Sequence, residues 1–282
     1  MRGIKSAFTK PSRATNEARG AAFALAEFFS SHFAGRGKSA FTLAEVFSSH
    51  FVGRRKSAFT LAEVLITLGI IGIVAAMTLP AVITKYHKKV TITQLKKAYS
   101  TLSQVMLMAF PDRDFSRLEI IDSNTAETEK WFLASIKPYM KITKYCVNSA
   151  GCWNAGTYLL NGSKWSWDRG NIGLGNDIIT FVTSDGYLVS MDIFSPNTKL
   201  GFDNNGQTYI LFFIDVNGAR KPNILGRDVY AFAFTPNRGL ITPGKDLEDS
   251  AVDANCDKSQ SGLYCTEQII RSGWQTSKVN SW

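Results

Sequence analysis

Residues Phe59 to Leu79 form 21 consecutive positions that carry one charge, Glu63. At about 1.5 Å of rise per residue, a helix of that length reaches ~31 Å, the thickness of a bilayer's hydrocarbon core. The run therefore predicts a membrane-spanning helix, and a carboxylate inside such a helix calls for a partner that a bare anchor would not need. Beyond Pro80 the pattern turns amphipathic: Ile92, Leu95, Tyr99, Leu102, Met106 and Ala109 recur three and four apart, while Lys88, Lys89, Lys96, Lys97 and Gln104 lie off that stripe. The spacing predicts one long helix to about Phe110, ended by Pro111, whose second half packs its apolar stripe on the protein's own globular part. Pro80 lacks a backbone donor and is expected to bend or locally melt the helix.

Immediately before the run stands Arg54-Arg55-Lys56-Ser57-Ala58, a basic stretch that ends in a small residue. Taken with Phe59, Glu63 and Pro80, it resembles the N-terminus of type IV prepilins and of the pseudopilins of type II secretion systems. The resemblance is sharp from Lys56 to about Tyr99 and general beyond. It implies that prepilin peptidase cuts between Ala58 and Phe59, where the family usually has Gly before the cut, and that the new amino terminus is methylated. Glu63 then becomes the fifth mature residue, and Pro80 matches a helix-bending proline of many members. The implied fold is α+β and pilin-like, a long N-terminal helix packed on a small antiparallel sheet. The implied location is the bacterial inner membrane, with a single pass and an extracytoplasmic C-terminal domain. Implied partners are prepilin peptidase, other pilin or pseudopilin subunits, an inner-membrane assembly platform and membrane lipid. The physics of Glu63 suits this, because the freed Phe59 amine is a cation at the end of an apolar rod and Glu63 of an adjacent subunit is its natural counter-charge; read without the resemblance, Glu63 is equally a charge tolerated near the membrane interface, a turn or so inside the span.

The segment ahead of the cut, residues 1–58, reads as a leader. It repeats with a period of 18: AAFALAEFFSSHFAGRGK from Ala21, SAFTLAEVFSSHFVGRRK from Ser39, then SAFTLAEVLITLGIIGIV from Ser57. Only the third copy continues into an apolar span, so the junctions Ala22/Phe23 and Ala40/Phe41 are expected to be decoys. The units are too short and too polar to stack as a solenoid. They read as tandem duplication of a coding segment or as a gene start placed too far upstream. His32 and His50 recur with the repeat and reflect duplication rather than metal-ligand design.

The leader holds ten positive and three negative charges, and the remaining chain 22 against 20. The formal net charge of +9 is therefore mostly leader, which removes the main reason to propose nucleic acid as a partner. The four cysteines, Cys146, Cys152, Cys256 and Cys265, fall in two close pairs after the apolar run. Their gaps are longer than structural zinc usually takes, so disulfides in an oxidising compartment are expected, with neighbour pairing chosen from three connectivities. One signal disagrees. Three basic residues precede the span and five lysines follow within Ala81–Ser100, which by the positive-inside rule would leave the C-terminal side in the cytoplasm. The cysteine pairs and the resemblance outweigh it.

The exported part, residues 111–282, is expected to hold a short helix from about Glu127 to Met140. Strands are expected at Ile178–Thr183, Tyr187–Phe194, Thr208–Val216 and Val229–Thr235, the first two joined by the tight-turn signal Ser184-Asp185-Gly186. Asp215, Asn217 and Asp228 gather oxygen ligands that would suit a calcium ion, and the resemblance adds that some major pseudopilins bind calcium in a loop of this general position. The competing reading is an Asx-rich turn whose side chains bond local backbone. Trp153, Trp165, Trp167 and Tyr158 would stack on sugars in an adhesin or fill a core. His87 is the sole histidine after the leader, and no G-x-S-x-G, H-E-x-x-H or P-loop pattern occurs. The expected function is a structural filament subunit, a pseudopilin or minor pilin that catalyses nothing. The alternative is a membrane-anchored binding protein or adhesin that does not polymerise.

Overall fold

The computed structural model describes residues 60–112, 124–154, 156–194 and 199–275. The leader repeats, Ala58 and Phe59 lie outside the described residues. Helix α1 runs Leu61–Ala109 and stays helical through Pro80, so the expected local melting does not occur. Proline removes one donor from the ladder, and the turn that follows is tied back by Thr84, whose hydroxyl donates to Pro80 O at 2.9 Å. The Phe110 amide still reaches Met106 O at 2.9 Å, and Pro111, with no N–H, stops the helix as expected. In the second half Thr91, Ile92, Leu95, Ala98, Leu102, Val105 and Met106 are buried. Ile92, Leu95, Leu102 and Met106 belong to the anticipated stripe and Thr91, Ala98 and Val105 are added, while Tyr99 and Ala109 are only half-buried, Tyr99 stacked on Phe232 at 5.7 Å.

Helix α2 spans Thr125–Ser135, capped by Asn124, whose side chain accepts from the Glu127 amide at 3.0 Å. It ends five residues before the expected Met140. Pro138 explains the difference, because a proline disfavours helical backbone at the residue before it, here Lys137.

Six antiparallel strands follow: β1 Ile142–Val147, β2 Ile179–Thr183, β3 Leu188–Phe194, β4 Tyr209–Asp215, β5 Val229–Thr235 and β6 Gly239–Ile241, laid side by side in chain order. The register of the central strands pairs Val189 with Ile214 and Phe212 with Phe232. Every residue of β4 and of β5 is buried. Alternation explains how both faces fill. Phe181, Met191, Phe212, Phe232 and Phe234 turn to a core completed by α1 and α2. Leu188, Leu211, Phe213, Val229 and Ala231 turn to a second core, completed by Trp153, Trp165, Leu174 and Leu225 from the connecting loops. The sheet is thus the middle of three layers, which is why YILFFID and VYAFAFT read as unbroken apolar runs rather than as alternating ones.

The chain closes with α3, Asp249–Asn255, and α4, Cys265–Arg271. Ile269 of α4 joins the helix-side core. Disulfides join Cys146 to Cys152 and Cys256 to Cys265, the neighbour pairing read from spacing. The aromatic residues proposed as a sugar platform are divided: Trp153 and Trp165 are 5% and 9% exposed and belong to the second core, whereas Tyr158 is 44% exposed. Trp165 stacks on Trp167 at 5.2 Å and meets Phe213 edge-on at 4.9 Å, so these indoles fill the core.

Candidate processing and assembly segment

The first described residue, Thr60, caps α1. Its amide donates to Glu63 Oε2 at 2.8 Å, its hydroxyl donates to the same oxygen at 2.9 Å, and the Glu63 amide donates to Thr60 Oγ1 at 3.2 Å. This reciprocal arrangement is a capping box, which satisfies amides that a helix start otherwise leaves without partners. The sequence signal was present as Thr60-Leu61-Ala62-Glu63, threonine and glutamate three apart before an apolar run, yet reading Glu63 only as an inter-subunit charge passed over it. The carboxylate therefore has a local role before any neighbour arrives.

From Glu63 onward the apolar half of α1 is uncovered. Leu65, Ile66, Leu68, Ile70, Ile71 and Ile73 are each about three-fifths exposed, and a window with mean hydropathy 2.3 is unburied throughout. Its hydroxyls are internally satisfied: Thr67 donates to Val64 O at 3.0 Å and Thr78 to Val74 O at 2.9 Å. A helix that hydrogen-bonds its own hydroxyls and exposes mainly apolar side chains is suited to hydrocarbon.

The structure also brings Asp215, Asn217 and Asp228 together. Asp228 Oδ1 accepts from the Ile224 amide at 2.5 Å, and its Oδ2 accepts from the Asn223 amide at 2.7 Å and from Asn217 Nδ2 at 2.8 Å. Asp215 Oδ1 accepts from the Asn217 amide at 3.1 Å and its Oδ2 from Asn154 Nδ2 at 3.2 Å. Burial, then the negative charge of Asp228, pushes the Asp215 carboxyl up to about 8, and burial raises Asp228 as well. A calcium site wants six to eight oxygens and ionised carboxylates. Here each carboxylate oxygen already accepts an N–H, and no group of three His, Cys, Asp or Glu suited to a metal occurs among the described residues. Two amide oxygens, Asn217 Oδ1 and Asn223 Oδ1, are buried without a protein partner, which is too few to complete a calcium shell. The donor set suits the hydrogen-bonded turn better than the cation.

Comparison with known families follows this division of the chain. A family of unknown function, DUF6613, matches residues 81–245, the amphipathic half of α1 and the sheet. The chain belongs to the DUF6613 family. In front of that region a prokaryotic N-terminal methylation motif matches residues 53–79. This DUF6613 protein therefore carries a type IV prepilin-type signal, and it is of the pilin-like class that prepilin peptidase processes. No curated protein and no solved structure matches the chain.

Proposed function

We propose that this DUF6613 protein is a structural subunit of a type II secretion or type IV pilus-like filament, a pseudopilin or minor pilin that catalyses nothing. The observation that carries the reading is the uncovered apolar half of α1, headed by one carboxylate and matched by the methylation motif. Cleavage before Phe59 creates an amine four residues from Glu63. Within a bundle of such helices, an amine and a neighbour's carboxylate ~4 Å apart attract by about 4 kcal/mol at an effective dielectric near 20, before desolvation is charged against the pair. A wrong register would leave two charges unpaired in hydrocarbon, so Glu63 sets the axial stagger of neighbouring subunits. The two disulfides support an oxidising, extracytoplasmic setting for the head. Prepilin peptidase, sister subunits and a membrane assembly platform are the corresponding partners.

The test separates the two roles of Glu63. Glu63→Gln keeps an acceptor for the Thr60 cap and removes the charge, because glutamine also serves in a capping box. The variant is expected to insert and to be cleaved and methylated at Phe59, as read by mass spectrometry of the extracted protein, but to give no cross-linked multimers. Wild-type assembly of the glutamine variant would refute the register role of Glu63, and a wild-type protein that itself gives no cross-linked multimers would leave a plain anchor and sink the filament reading.

A further inference from the structure

We propose that the membrane-proximal end of the head is a binding surface for anionic phospholipid headgroups. This rests on the reading that the apolar half of α1 spans the bilayer. Just past the span, a cleft of about 360 Å³ is walled on one side by Thr84, His87 and Val90 of α1 and on the other by Arg220, Lys221 and Pro222 of the β4–β5 connection. Lys85, Lys89, Arg220, Lys221 and Lys258 are exposed at this end. Lys258 approaches Lys88, whose ammonium is held below its usual value by burial first and then by that like charge. Of the nearby carboxylates, Asp215 and Asp228 are buried. The exposed Asp257 is occupied by the Ser259 amide and hydroxyl at 2.9 and 2.7 Å. Several cations thus converge with little opposing charge on the surface.

Position selects the partner. Val82, Ile83 and Tyr86 remain 61%, 44% and 65% exposed, so the apolar surface runs one turn past Pro80 and ends at a tyrosine, a residue enriched at the membrane–water boundary. Lys85 stands roughly 8 Å of helix rise beyond Pro80 and Lys89 roughly 14 Å. Headgroups occupy about 5–8 Å beyond the hydrocarbon edge, and long basic side chains reach back toward them. The cleft residues lie at the same level of α1, within about one Debye length of the phosphates. The chain after the leader is near neutral as a whole, with 22 basic against 20 acidic residues, which disfavours a general polyanion surface. The arrangement also accounts for the lysines that conflict with the positive-inside rule. Lys97 pairs with Asp185 at 2.8 Å and Lys96 sits over the Trp274 ring at 6.0 Å, so these two have partners within the head, whereas Lys85 and Lys89 are exposed just past the span.

The test uses the full chain in nanodiscs of phosphatidylcholine alone or mixed with phosphatidylglycerol. All four native cysteines are in disulfides, so a cysteine introduced by Ala219→Cys takes an environment-sensitive fluorophore uniquely. The emission is expected to shift blue when phosphatidylglycerol is present and to revert in high salt. In the background Arg220→Gln, Lys221→Gln and Lys258→Gln, the ratio of docked to free head should fall on the order of a hundredfold, at about fivefold for each basic residue brought to an anionic surface. Unchanged near-ultraviolet circular dichroism will show that the fold survives. Identical spectra in both lipids, or a triple variant that responds like the parent, overturns the proposal. So does a labelled DNA oligonucleotide that binds this surface when phosphatidylglycerol elicits no shift, which would make it a nucleic-acid site. A chain that fails to enter nanodiscs overturns the span itself, an outcome distinct from a chain that inserts and ignores lipid charge.

Discussion

Asp215 makes the stability of the head fall as pH rises. Its folded-state pKa is about 8 against an ordinary 3.8, so the native state keeps a proton that the unfolded chain releases. A group raised in this way contributes stability that is complete below the unfolded value and is lost as the pH climbs to the folded one. Asp192 is also raised, to about 6, by burial, which leaves the interval from about 6 to about 8 to Asp215. Over that interval one retained proton costs about 1.4 kcal/mol per pH unit, about 2.7 kcal/mol in all. For a domain of this size the change lowers Tm by roughly 5–10 °C. Asp215→Asn removes the proton and should flatten the slope. Its baseline will differ, since the new amide faces Asn154 Nδ2, which lies 3.2 Å from Asp215 Oδ2. The slope, not the baseline, is therefore the readout. Urea unfolding of both proteins across the interval measures it. A wild-type curve as flat as the variant's, or a variant as steep as wild type, refutes the reasoning. A gain in stability when calcium is added at the alkaline end would show a cation replacing the proton and would overturn the reading of a hydrogen-bonded turn.

Replacing Cys256 and Cys265 by alanine, which opens a loop of sequence separation 9, is expected to cost about 2.6 kcal/mol by chain entropy. The same change at Cys146 and Cys152, separation 6, is expected to cost about 2.2 kcal/mol; reductant-free urea titration checks both. Phe132 is fully buried, with ring centroids 5.4 Å from Tyr145 and 5.3 Å from Phe181. Phe132→Ala should therefore lose about 3–5 kcal/mol, and a loss well below that would mean that α2 is not docked on the sheet.

What could be read from the sequence divides along physical lines. The span, the amphipathic stripe and the hairpin at Ser184-Asp185-Gly186 were legible because each rests on local pattern: length of apolar run, spacing of apolar residues, turn chemistry. Strand β1 was not. Its burial alternates only weakly, with Thr143 and Lys144 exposed at the sheet edge, so Ile142–Val147 lacks the apolar density of β4. Strand β6 is three residues long and exists only because Ala233 and Thr235 offer it partners. Helices α3 and α4 are seven residues each, too short to stand without the disulfide and the core they lean on. At the processing segment Glu63 was found from its charge alone, whereas its bond to Thr60 needed the helix start to be recognised. Arg220 and Lys221 carry no pattern of their own in the sequence, since their placement beside α1 is a matter of tertiary structure.

The side-by-side order of the strands also shapes how the head is built. Every strand from β2 on meets, as its partner, the strand made just before it, so each new strand can pair as soon as it is complete, and a single growing edge waits for the next. During synthesis that ordering lets the earlier portion pair while the later portion is still being made. Few residues then stay bare at any moment for a neighbouring nascent copy to capture.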